Sequence, residues 1–227
     1  MPSWNIHTAH AEQLLREDGA EALGVRDIDS FLLGNLMPDI YVGYMVPNVS
    51  RKIPYKDTHF ADPNLVPEPR FDEFFQRYGT PGPDGCVSDL ILGTWAHLVA
   101  DHIYNSHANR FFDTHGITTC NEVRIKKQGD FDLFGRTLDI SRAPQVTPEL
   151  LRQCASYPCY ELEEADLRAT QDVMEHIVRD NAERHVSGEP PYQMLDSTFF
   201  TETFAEVSNR IRRGLRAYAC GNASWGA

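Results

Sequence analysis

The stretch "CVSDLILGTWAHLVADHIYNSHANRFF", residues 86–112, constrains the fold more than any other part of the chain. It is the longest apolar stretch, and its apolar positions recur at helical spacing behind Ser88 as N-cap. Yet it carries a histidine and an aspartate, His97 and Asp101, on the side that also holds Leu90, Gly93 and Tyr104. An unpaired buried charge is costly, so both groups need partners. No apolar run approaches the roughly 18 residues that a membrane-spanning helix needs.

Helical spacing also dominates the rest of the chain. A first helix is expected from about Thr8 to Arg16, with Ala11, Leu14 and Leu15 on its apolar side. A short second one covers "DIDSFLLGNL", capped by Asp29 or Ser30 and ending near Pro38, which disfavours a helical Met37. Residues 40–69 read as a loop broken by Pro47, Pro54, Pro63, Pro67 and Pro69; loops of this length usually serve a site. Further helices are expected at "RFDEFFQRY", Phe131–Leu138, Pro148–Ala155, Glu161–His185 and Ser197–Tyr218. Alternation of Val, Ile and Thr is scarce, and no linker divides the 227 residues. The expectation is an all-α, single-domain helical bundle over residues 1–227, with long core helices and a Pro-rich loop at a cleft.

A net charge of −12 without a basic stripe argues against a nucleic-acid partner. Five cysteines form no C-x-x-C pair, and "MPSWNIHTAH" lacks the basic and apolar regions of a signal peptide. The expected compartment is the cytoplasm, with reduced cysteines.

His97-x-x-x-Asp101 is the strongest chemical signal. Side chains four apart on a helix point in directions only about 40° apart, so an imidazole nitrogen and a carboxylate oxygen can converge on one divalent cation. His102 points about 140° away from His97 and is not counted as a ligand; His107 lies about 80° to the other side. The pair alone also fits a hydrogen-bonded couple. Asp39, at a helix exit, and His59, on the Pro-rich loop, stand where loops deliver ligands. His176-x-x-x-Asp180 reads as part of a charged helix surface, "ELEEAD" as a solvated first turn, and "SNRIRRGLR" as a solvated face.

Taken in order, "SWNIHTAHAEQLL", "FLLGNLMPDI", "KDTHF" and "LILGTWAHLVADHIYNSH" resemble the zinc-dependent phospholipase C family. They also resemble its wider superfamily, which includes single-strand-specific zinc nucleases. The resemblance covers about the first half of the chain. It implies an all-α fold with up to three zincs in a cleft between helices. Asp39, His59, His97 and Asp101 would hold one zinc, Asp101 bridging to a second that His7 also serves. His10 is expected to pack or to face solvent. His107 stands where the family places a ligand of a third zinc, but the H-x-x-x-E pair that completes that site is missing; His115, Glu122, Asp130 and Asp132 are spaced differently. Two zincs are therefore expected.

The implied activity is hydrolysis of a phosphate ester, most naturally a diester, by a water activated between metals, with Asp39 orienting or deprotonating it. The substrate would be a small phosphate ester or phospholipid-like molecule. Two departures bear on it. Trp4 is internal and offers no terminal amine, so it reads as core or pocket wall; Ile40 replaces the tyrosine of the secreted choline-phospholipid enzymes, which disfavours phosphatidylcholine. The competing reading is a non-catalytic module that the same ligands staple together. A histidine–aspartate phosphohydrolase is disfavoured, because the adjacent pair here runs Asp101-His102.

Overall fold

A computed structural model describes residues 2–227. Among these residues the chain is all-α, without strands: α1 (Trp4–Asp18), α2 (Ile28–Gly34), α3 (Met37–Ile40), α4 (Tyr55–His59), α5 (Phe71–Tyr78), α6 (Asp89–Thr114), α7 (Asn121–Gly135), α8 (Pro148–Cys154), α9 (Glu164–Glu183) and α10 (Ser197–Ala219). A 3-10 turn, Glu21–Leu23, links α1 to α2. None of these helices is long and apolar enough to cross a membrane.

The long apolar stretch forms the axis of the bundle. Ser88 Oγ accepts from the Leu90 amide at its start, as expected of the N-cap. All residues from Asp89 to Asp101 are buried, so this part of α6 has no solvent face. α2 lies directly against it, because Gly34 and Gly93 let the two backbones meet: a Cβ at Gly93 would stand 2.1 Å from the Phe31 carbonyl oxygen, and one at Gly34 2.3 Å from that of Leu90. α10 packs on another side of α6, with Gly214 against the Trp95 ring.

Several boundaries differ from the sequence-based expectation, each for a local reason. α1 begins at Trp4, four residues early, because Trp4 and Ile6 are both fully buried and extend its apolar side. The cap of α2 is Asp27, whose carboxylate accepts from the Ser30 amide at 3.2 Å; Asp29 and Ser30 lie inside the helix. That helix stops at Gly34. Pro38 falls in the first turn of α3, where its missing N–H leaves no bond unmade. α7 starts at Asn121, ten residues earlier than expected, its outer side polar and supported by a Glu122–Lys126 pair.

The Pro-rich segment between α3 and α5 is ordered by contacts at several points. The Ser50 amide and hydroxyl donate to Asp166, which is therefore buried under the loop instead of solvated at the start of α9. Asn105 Nδ2 donates to the Pro67 carbonyl at 2.7 Å, and His102 Nδ1 to that of Pro69 at 2.9 Å. Two arginines of the α10 run are engaged: Arg212 and Arg216 pair with Glu17 and Asp18 at the end of α1, while Arg213 is exposed.

Candidate metal centre

Four segments deliver five ligand-type side chains to one point. α1 brings His7, α3 brings Asp39, the last residue of α4 is His59, and α6 brings His97 and Asp101. His7, His59, His97 and Asp101 are fully buried, and Asp39 is 3% exposed. Ligand atoms of His7, His97 and Asp101 lie within 4.8 Å of one another, as do those of Asp39, His59 and His97. Asp101 joins the two groups. Its Oδ1 is 3.3 Å from His7 Nε2, and its Oδ2 is 3.5 Å from His59 Nε2 and 3.7 Å from His97 Nε2. Asp39 Oδ1 stands 3.5 Å from His59 Nε2.

The local backbone explains this convergence. His59 closes a one-turn helix, and Phe60 after it takes a left-handed φ of 55°, a sparsely populated conformation for a non-glycine residue. That turn ends α4 and lays the Phe60 ring against Phe74 and Tyr78. Asn35, held by the α2–α6 contact, acts on two ligands at once. Its carbonyl accepts from His97 Nδ1 at 2.9 Å, and its side-chain amide donates to the His7 carbonyl at 2.9 Å.

Partners on the outer ring nitrogens determine which face of each imidazole carries a lone pair. A carbonyl only accepts, so His97 is protonated on Nδ1 and its Nε2 lone pair faces the centre. The Thr58 hydroxyl donates to the Tyr55 carbonyl at 3.2 Å and so accepts from His59 Nδ1 at 2.7 Å. His59 Nε2 therefore also presents a lone pair. These two nitrogens stand 3.2 Å apart, with two carboxylates beside them. Facing lone pairs repel unless a cation lies between them. Three further atoms point the same way: His7 Nδ1 is buried without a hydrogen-bond partner among the described residues, and His7 Nε2 and Asp101 Oδ1 have only each other, 3.3 Å apart and too poorly aligned for a good hydrogen bond. Such orphans are rare in native proteins. The residues fit a divalent cation, in the nitrogen–oxygen donor set that zinc accepts.

The electrostatics match that assignment. Burial, reinforced by the His7 charge, pushes His97 down to about 3, so its ring is neutral at physiological pH. Burial pushes the Asp101 carboxyl up, but His97, His7 and His59 outweigh it and hold the carboxyl far below its ordinary value. Asp39 shows the same contest: burial pushes its carboxyl up, and the neighbouring His59 and His97 rings hold it below its ordinary value. Both carboxylates are ionised and all ligands can bind without first losing a proton from a carboxyl group or from His97.

Two supporting groups carry no signal in ligand spacing. Trp4 Nε1 donates to Asp39 Oδ2 at 3.1 Å, making this residue core and site wall at once. Tyr55 stacks on His59 with ring centroids 3.7 Å apart and donates to Asp101 Oδ2 at 3.0 Å.

The other candidates lie apart. His10 bonds Ser208 and Tyr104 and stacks on Phe204, so it packs. His107 faces α10, with Nδ1 3.0 Å from Thr203 Oγ1 and Nε2 3.3 Å from Glu206. Asp130 accepts from the amides of Gln193, Met194 and Leu195, and Glu122 pairs with Lys126; His115 bonds the Phe111 carbonyl. Asp132 receives a hydrogen bond from Gln128 on its own helix. His107 and these four residues are not gathered around one point. Asp180 pairs with Arg136 and Arg184, and His176 takes no part in the centre. A cavity of about 1050 Å³ lies elsewhere, between the 3-10 turn, α5 and the end of α10, and contains none of the five ligands. Compared with family models, curated proteins and solved structures, the chain matches none of them.

Proposed function

We propose that the chain is a metal-dependent hydrolase of phosphate esters, similar to the zinc-dependent phospholipases C, with a two-metal centre on His7, Asp39, His59, His97 and Asp101. The observation that carries the reading is the pair of oriented imidazole lone pairs, 3.2 Å apart, flanked by two ionised carboxylates. The donor set is also incomplete. Two four-coordinate ions offer more positions than three ring nitrogens and four carboxylate oxygens can fill, which leaves room for water or substrate. When bound, zinc at this centre would lower the pKa of a coordinated water and neutralise charge on phosphate oxygens.

The chain's own residues then divide the work. Asp101 holds the two ligand groups in register. Asp39, kept ionised and bonded on Oδ2 by Trp4, would serve the centre as a carboxylate and help to orient or deprotonate the attacking water. Asn35 and Thr58 fix the ring faces of His97 and His59. Ile40 is buried in the core and offers no polar group to a headgroup, which favours small phosphodiesters over choline lipids.

One observation favours a second reading. The five ligands are sealed from solvent, as expected of a metal that staples α1, α3, α4 and α6 together without catalysis. Protein purified without added metal separates the two. The hydrolase reading expects close to two zincs per chain by elemental analysis, with turnover of a chromogenic phosphodiester that chelators abolish and zinc restores. Bound zinc without turnover on phospholipid, nucleotide and generic diester substrates would establish the stapling role.

A further inference from the structure

Lys127 is the one lysine buried among the described residues, at 2% exposure. It lies on α7 and reaches α6, where Nζ donates to Asn105 Oδ1 at 3.1 Å. Asn105 is fully buried and stands four residues after Asp101 and eight after His97. The three side chains therefore share one face of α6, at steps of about 40°, with neighbouring Cβ atoms about 5–6 Å apart. Through Asn105 the ammonium is tied to the turn of α6 that follows Asp101. Burial lowers its pKa and the Asp101 charge opposes that shift, so the lysine and the bridging carboxylate lie within each other's field.

The ammonium is poorly compensated. Among the described residues it has one neutral acceptor and the face of Phe131, 5.2 Å away, and no ion pair. A charge buried on those terms is expensive unless an anion joins it. The donors that a third metal would need are scattered, whereas this cation is built into the neighbouring turn.

Resting on the hydrolase reading above, we propose that Lys127 is the anion-binding group of the centre. Its Nζ would take a non-bridging oxygen of a phosphoryl group bound at the centre, supplying there the positive charge that a third metal would otherwise bring. The ligand class is a phosphate or phosphate ester with such an oxygen free.

The test compares zinc-loaded wild type with Lys127→Met, close in volume but uncharged, and with Lys127→Arg. Inorganic phosphate is titrated calorimetrically, and zinc is counted in each protein. Lys127→Met is expected to keep the zinc content and to bind phosphate at least about tenfold more weakly, the scale of one charged hydrogen bond, while Lys127→Arg retains most of the affinity. Equal phosphate affinity in wild type and Lys127→Met, with zinc retained, overturns the assignment and leaves the hydrolase reading standing. Loss of zinc from Lys127→Met also overturns it, in favour of structural support. A wild type without zinc defeats the underlying reading and the assignment with it. Should Lys127→Met not fold, Asn105→Asp supplies the second measurement: a carboxylate on Nζ should compete with phosphate, and unchanged affinity refutes the proposal. Parallel arms with glycerophosphoglycerol and phosphatidylglycerol vesicles tell a free ester from a lipid headgroup. A matching fall in whichever arm is turned over supports the role, and no fall there overturns it.

Discussion

Gly93→Ala tests whether the metal centre depends on backbone contact between α2 and α6. The new Cβ would stand 2.1 Å from the Phe31 carbonyl oxygen, 2.7 Å from the Asn35 amide nitrogen and 2.9 Å from the Gly34 carbonyl carbon. Ordinary contact begins near 3.4 Å, so α2 must withdraw by up to 1.3 Å. Helix propensity alone would favour alanine by about 1 kcal/mol. Overpacking against rigid backbone costs about 1–3 kcal/mol, and a weakened buried hydrogen bond at Asn35 adds about 1–3 kcal/mol. The net loss is about 1–5 kcal/mol. At about 2–4 °C per kcal/mol for a domain of this size, the Tm of metal-free protein should fall by roughly 2–20 °C. Zinc affinity should fall about 10–100-fold, because the Asn35 carbonyl orients His97. Thermal unfolding in chelator and competition with a chromophoric chelator measure the two effects. Gly129→Ala is the control: its Cβ meets nothing within 4 Å, so that variant should gain roughly 0.5–1 kcal/mol. A Gly93→Ala protein as stable as wild type, with unchanged zinc affinity, would refute the reasoning.

Three further outcomes are expected. Alanine at His97 or Asp101 should remove most bound zinc, while His102→Ala should leave it nearly unchanged because His102 faces the Pro69 carbonyl; equal loss from all three, by elemental analysis, defeats the helix-face argument. Removing zinc should lower Tm by an amount that grows with the logarithm of free zinc restored, since the ion links four segments of the folded state; a Tm indifferent to zinc contradicts the centre. For metal-free protein, His97 titrates from 6.5 unfolded to about 3 folded, so the unfolded state binds the extra proton between those values. Stability should therefore decline as pH falls from about 6.5 toward 3, by up to about 1.4 kcal/mol per pH unit for this group. The depressed carboxyls of Asp39 and Asp101 extend the decline below the ordinary carboxylate range. Denaturant titrations across that window check the sign.

The helical class and α6 were legible because period and N-cap agree over a long stretch. The helix spacing also placed His97 and Asp101 on one face. His59 stood out by its place on the Pro-rich loop, but His7 joined as a ligand only through the ordered resemblance, since nothing in its segment alone says where its ring will point. The supporting shell was not legible. Asn35 acts on His97 through a backbone carbonyl, which leaves no mark on residue type, and Thr58 and Tyr55 look like ordinary loop residues. Lys127 sits in "RIKKQGD", where nothing in the sequence marks one lysine out from the other, and only the placement of α7 shows that it turns inward. The same polar surface hid the first ten residues of that helix. Asp166 misled in the opposite direction: it looked like a first-turn carboxylate facing water, and it is the anchor of the Pro-rich loop.

The sealing of the five ligands has a kinetic consequence. If a metal binds here, Tyr55, stacked on His59 and bonded to Asp101, would cover it on the α4 side. Exchange of such an ion would then be paced by movement of α4 and its flanking loop. The opening rate of that segment then caps how fast metal enters or leaves, whatever the affinity. Stripping by a chelator would rise with chelator concentration and then level off at that rate. Loosening the Ser50–Asp166 anchor would raise the plateau without touching a ligand, so a loop contact remote from the centre would set the residence time of a bound metal.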